Sequence, residues 1–249
     1  MMIRDFTTGA GYLLKGFALL GKPGIKRYVM IPLLINILLF TALVWLLSDQ
    51  FGLFIDWLTP SLPDWLAWLT WLLWVVFALV ALLLIFFSFS VIANLVGAPF
   101  NSYLAAAVEQ YLSGTKPAGG NLSLPVEIIK SVKSETNKIL YALLWLIPLL
   151  IISIIPGINI IAPVLWAWFG AWILAIEYAD YPLGNYGLGF SEVKAKLKQH
   201  RWLALGFGGA VTLATLIPLV NLLVMPTAVA GATRMRLEKI PLAKATDDG

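Results

Sequence analysis

The chain has 249 residues, 60 % of them hydrophobic and only 12 % charged, with 17 Lys and Arg against 13 Asp and Glu. Soluble domains carry about 25 % charged residues, so this composition, with a mean hydropathy of +0.88, marks an integral membrane protein. Cysteine is absent, which excludes disulfides, thiolate metal sites and a cysteine nucleophile, and the single histidine with scattered acids makes no metal-ligand cluster.

Residues 1–27 come first as an amphipathic segment. Phe6, Leu13, Phe17 and Leu20 recur near helical spacing, which predicts a helix lying in the membrane interface rather than a cleavable signal peptide. Four stretches without any charged residue follow: 28–48, 65–108, 139–176 and 202–233. The first fits one span, since about 20 residues cross roughly 30 Å of hydrocarbon. The second is too long for one span and predicts a long helix whose C-terminal part, "NSYLAAAVEQYL", leaves the bilayer, with Leu104, Val108 and Leu112 at helical spacing. The "SGTKPAGGN" run ends it with turn chemistry. Leu124–Lys138 reads as a second amphipathic helix.

The two remaining stretches each carry a Pro-x-x-Asn sequence, Pro156 with Asn159 and Pro218 with Asn221, followed by Pro163 and Pro226. These predict a tight connection in mid-stretch and split each stretch into two arms. The arms of 202–233 are too short to cross about 30 Å at 1.5 Å per residue, which predicts a hairpin that enters and leaves by one face. The arms of 139–176 fit a deep hairpin or two short spans. The predicted fold is an all-α integral membrane protein: two long transmembrane helices, two partially penetrating helical hairpins, interfacial helices, and a cytoplasmic tail over 234–249.

Charge placement bears on topology. The segment Asp49–Asp64 holds three acids and no Lys or Arg; all 17 basic residues lie in the N-terminal segment, 109–138, 177–201 and the tail. With two spans and two returning hairpins those four segments share a face, and the positive-inside rule makes it cytoplasmic.

Lys26 and Arg27 stand at the start of the first span, where exposed N–H groups and the macrodipole already make a helix end positive. Pro23 suits a helix start, and Gly24 lets a ligand approach the main chain. Two cations there are compensated by an oxyanion that accepts N–H bonds and pairs with Lys and Arg together. They also have the form of plain cytoplasmic anchors. Glu109 and Glu177 border charge-free stretches, and Asn159 and Asn221 lie inside them, so all four are candidates for a pathway or vestibule, beside their roles as solvated flanks or turn residues. No phosphate-binding G-x-x-x-x-G-K-[ST] loop and no G-x-S-x-G elbow occurs. The sequence predicts no enzyme, cofactor, metal or nucleic-acid partner.

Taken together, "GKPGIKRYVMIPLLINILL", "IANLVGAPFNSYLAAAVE", "AWILAIEYADYPLGN" and "TLIPLVNLLVMPTAVAGAT" resemble the CysZ-type sulfate transporters of bacterial inner membranes, from about Phe6 to Met235. The resemblance implies sulfate uptake that feeds assimilation and cysteine biosynthesis, by a homo-oligomeric permease or channel without its own ATP site. It also implies two long spanning helices with two partially penetrating pairs. The family's sulfate-binding Gly-x-Arg-Arg-like motif maps onto Gly24, Ile25, Lys26 and Arg27, with Lys26 where arginine is common; lysine keeps the charge but loses the bidentate fork. A related oxyanion (sulfite, thiosulfate or molybdate) and a non-transporting scaffold that binds anionic membrane lipid are the alternatives.

Overall fold

The computed structural model describes residues 1–58, 64–117 and 124–242. All of its long elements are helices: α1 (Met2–Phe17), α2 (Lys26–Leu58), α3 (Ala67–Ser113), α4 (Leu124–Ile154), α5 (Ala162–Gly184), α6 (Phe190–Gln199), α7 (Arg201–Thr215) and α8 (Pro218–Lys239). The chain divides into two compact units, residues 27–100 and the remainder.

In the first of these, α2 meets α3 through aromatic rings. Phe51 stacks on Phe77 with centroids 3.7 Å apart and meets Trp74 edge-on at 4.5 Å. At 1.5 Å per residue α2 is about 50 Å long and α3 about 70 Å, each well beyond a roughly 30 Å hydrocarbon core. The helical part of α2 runs past Ser48, placing Asp49 and Asp56 within the helix. The reason is local: after Ser48 the sequence offers no proline before Pro60.

The second unit is built on α7 and α8, which pack against each other and against both α1 and α5, with α4 against α5 and α6. Glycines set the separations. A side-chain carbon at Gly9 would meet the backbone of Leu203 and Phe207 on α7, one at Gly16 the backbone of α8, and one at Gly208 the backbone of Ala171 on α5. Gly9 and Gly16, though glycine is a poor helix former, therefore earn their place through close packing. α1 buries Tyr12 and Leu13 on that side and leaves Met2, Ile3, Leu14 and Phe17 exposed, so it is a packed member of the core as well as an amphipathic helix.

The two hairpins turn slightly earlier than Pro-x-x-Asn suggests. In the first, the break falls at Ile155–Gly157, where Gly157 has φ +84°, and Asn159 lies in the 3-10 turn Ile158–Ile161 that follows. In the second it falls at Leu216–Ile217; Pro218 opens α8 and Asn221 sits inside its first turn, its N–H donating to the Ile217 carbonyl at 2.8 Å. Proline at the first helical position lacks only an N–H that would be unpaired anyway, so it starts the second arm instead of ending the first. Pro226 is accommodated within α8.

Among the described residues three helical segments are long and apolar enough to cross a membrane: Lys26–Trp57, Lys133–Ile154 and Ile158–Gly184. α7 and α8 are not among them. At their bases Ala204, Phe207, Ala228 and Val229 are fully buried, whereas Leu213, Leu216, Leu219 and Leu222 toward the turn are exposed. The basic segment 177–201 holds the end of α5 and all of α6, whose Val193 and Leu197 are buried.

Candidate functional site

Gly24 precedes α2 with φ +85°, a left-handed conformation that disfavours any residue with a side-chain carbon. The turn it makes sends the N–H groups of Ile25 and Lys26 back to the Lys22 carbonyl, at 3.1 and 3.2 Å. Those two donors are thus engaged within the chain, so an anion at this helix start relies less on Gly24–Lys26 main chain than the sequence suggests. Ile25 is buried; Gly24, Lys26 and Arg27 are exposed. The Arg27 guanidinium donates to the Tyr28 hydroxyl at 3.0 Å and lies 4.8 Å from the centre of the same ring. A ring under a guanidinium fixes its plane and leaves its remaining donors pointing away.

Glu109 is buried near the end of α3, 2 % exposed. Arg236 of α8 pairs with one carboxylate oxygen, and the Tyr186 hydroxyl donates to the other. Burial, and next the bond to Glu109, push the Tyr186 phenol above its usual range. Among the described residues the Arg236 Nε has no hydrogen-bond partner. Glu109 is therefore an interior group with both oxygens engaged, not a solvated flank.

Glu177 belongs to a second cluster, on the hairpin of α4 and α5. Lys138 lies 2.7 Å from Glu135, 2.9 Å from Glu177 and 3.1 Å from Asp180, and the Tyr181 hydroxyl donates to Glu177 at 3.3 Å. Glu177, Asp180 and Tyr181 come from the single stretch "EYADYP". Residues three and four apart share a helix face, which is why one lysine from α4 reaches both acids. Sequence reading missed Lys138 as their partner; its i, i+3 relation to Glu135 was the available signal. Further along the same stretch Asn185 donates to the Ser102 carbonyl at 2.9 Å.

Asn159 and Asn221 are exposed at the turns of the two hairpins. They join neither cluster.

A third polar group ties α1 to α8. Glu238 accepts from Tyr12 at 2.8 Å, Lys15 at 3.3 Å and Arg234 at 2.7 Å. Burial raises the Glu238 carboxyl, but the hydrogen bonds from Arg234, Tyr12 and Lys15 outweigh it and hold it down at about 2. Burial, then the same bond, push the Tyr12 phenol well above its usual range.

The family model described as sulfate transporter CysZ/etoposide-induced protein 2.4 matches residues 12–226. A sulfate transporter CysZ of Pseudomonas fluorescens (strain Pf-5) is 49 % identical over 228 residues, 91 % of this chain and 92 % of the relative. That of P. fluorescens (strain Pf0-1) is 45 % identical, covering 91 % of each. That of Pectobacterium atrosepticum is 41 % identical over 241 residues, 96 % of this chain and 88 % of the relative. With a match of this extent, the chain belongs to the sulfate transporter CysZ/etoposide-induced protein 2.4 family.

Proposed function

We propose that this protein carries sulfate across the bacterial inner membrane into the cytoplasm, supplying sulfate assimilation and cysteine biosynthesis. The observation that carries the reading is the match, over nearly the whole of both chains, to proteins named for sulfate transport. Sulfate is held first at Gly24, Ile25, Lys26 and Arg27. Exposed cations at Lys26 and Arg27 and the ring-supported guanidinium of Arg27 support that placement, because charge-assisted bonds to an oxyanion gain from a fixed donor plane.

The protein acts as a multi-pass permease with both termini in the cytoplasm. Three contacts support that topology: Tyr12 to Glu238, Glu109 to Arg236, and Lys138 to Glu177 join the N-terminal segment, 109–138, 177–201 and the tail on one side of the hairpins. The hairpin of α7 and α8 penetrates only part of the bilayer; its arms of 15 and 22 residues, the second with a charged end, support this. Backbone that turns at membrane depth needs protein or water around it, and the exposed Leu216, Ile217 and Leu219 at that turn are covered by further copies of the chain in a homo-oligomer.

Uptake of labelled sulfate into sealed vesicles, with and without a proton gradient, tests the reading. Uptake above protein-free vesicles, reduced most strongly by unlabelled sulfate, is expected. Stronger competition by sulfite, thiosulfate or molybdate reassigns the substrate, and no uptake under either condition overturns transport.

A further inference from the structure

Between α4 and α5 lies an apolar groove of about 420 Å³, open along one side. This is within the roughly 300–1,000 Å³ of clefts that hold small ligands. Leu149 forms a buried floor; Tyr141, Trp145, Ile152, Trp168 and Trp172 form the walls. Both helices are long and apolar enough to cross a membrane, so what faces the open side is hydrocarbon rather than water.

The groove has two different ends. At one, Tyr141 accepts a hydrogen bond from the Trp172 indole at 3.1 Å, and the Lys194 ammonium of α6 lies 4.6 Å from the Tyr141 ring centre. Among the described residues no carboxylate pairs with Lys194. The other end, near Ile152, is wholly apolar and stops just before the hairpin turn. From Tyr141 to Ile152 the helix rises about 16 Å at 1.5 Å per residue. Half of a roughly 30 Å hydrocarbon core is about 15 Å, the depth one acyl chain occupies. Indole and phenol rings at the cationic end suit the headgroup level, where such amphipathic rings collect.

We infer that this groove is a binding site for one anionic glycerophospholipid of the surrounding leaflet. An acyl chain lies along Leu149 and Ile152, and the phosphate pairs with Lys194. Charge complementarity selects the headgroup: a cation without a carboxylate partner at the mouth of an apolar groove favours an anion over a zwitterion. The site stands on different residues from the sulfate-binding stretch and does not depend on it.

Native mass spectrometry of the purified protein, titrated in detergent with phosphatidylglycerol or phosphatidylcholine, tests the inference. Preferential retention of a single phosphatidylglycerol per chain is expected. Lys194→Gln, a change at a part-exposed position of α6, lowers phosphatidylglycerol retention about tenfold, the loss of one charge-assisted bond, and leaves phosphatidylcholine as before. Ile152→Trp fills the groove and lowers retention of both. Wild-type retention of phosphatidylglycerol in Lys194→Gln overturns the inference. So does an Ile152→Trp protein that keeps its lipid but loses its oligomeric mass, since a second copy then covers the groove.

Discussion

The guanidinium of Arg236 lies over the ring of Tyr186, 4.6 Å from its centre, and both side chains hold the same buried carboxylate, Glu109. α3, α8 and the turn after α5 are thereby fixed to one point. Removing one member of a buried pair strands the other charge, which costs about 3–5 kcal/mol. Glu109→Gln and Arg236→Met are each expected to lower stability by that amount in detergent denaturation curves. Tyr186→Phe costs less, about 1.5–3 kcal/mol, because Arg236 still holds the carboxylate. The double change Glu109→Leu with Arg236→Met recovers most of the loss.

Glycine contacts make a second, position-specific prediction. Gly9→Ala and Gly208→Ala drive a methyl group into backbone across a helix interface, and overpacking of this kind costs about 1–3 kcal/mol. Gly11→Ala, two residues along the same helix, meets nothing within 4 Å and gains about 0.5–1 kcal/mol from helix propensity. Melting temperatures of the three variants should therefore move in opposite directions; a common direction would show that α1 does not pack as described.

The Glu238 carboxyl is held at about 2 in the folded protein against an ordinary 4.5. A depressed folded value stabilises the fold above the unfolded value and ceases to do so as pH falls through the folded one. The stability contributed by Glu238 should thus be complete above pH 4.5 and fade between 4.5 and about 2. Comparing wild type with Glu238→Gln isolates it from the other acids: the wild-type advantage in melting temperature shrinks across that window. The group is more than a third exposed, so the advantage is modest.

Arg27→Ala is expected to weaken sulfate binding by roughly ten- to a hundred-fold, the loss of a charge-assisted hydrogen bond of about 1.5–3 kcal/mol. Arg27→Lys is intermediate, since charge survives and the planar fork does not. Lys22→Ala should change affinity little. Calorimetric titration of sulfate into the purified variants reads these differences, and unchanged affinity in Arg27→Ala would make the cations plain topology anchors.

The chain lacks cysteine, so single cysteines report cleanly on depth. Introduced at Leu219 or Val220, in the first turn of α8, they should resist an impermeant thiol reagent added outside intact cells. One at Asp56 should react. Equal labelling at all three positions would make the hairpin of α7 and α8 a pair of full spans.

The sequence by itself determined the membrane class, the all-α content and the family, because charge-free runs, proline positions and motif order are local properties that survive without knowledge of packing. It also marked Gly24 and Arg27 as unusual neighbours at a helix start. What it did not determine were relations between distant residues. Gly9 and Gly16 of α1 read as weak helix positions, and only their approach to α7 and α8 shows why they are there. Glu109 and Glu177 read as flanking acids; their partners Arg236 and Lys138 stand 127 and 39 positions away in the chain. Burial of a charge depends on what folds over it, and hydrogen-bond partners are chosen in space, so these pairings are settled only when α3, α4, α5 and α8 come together.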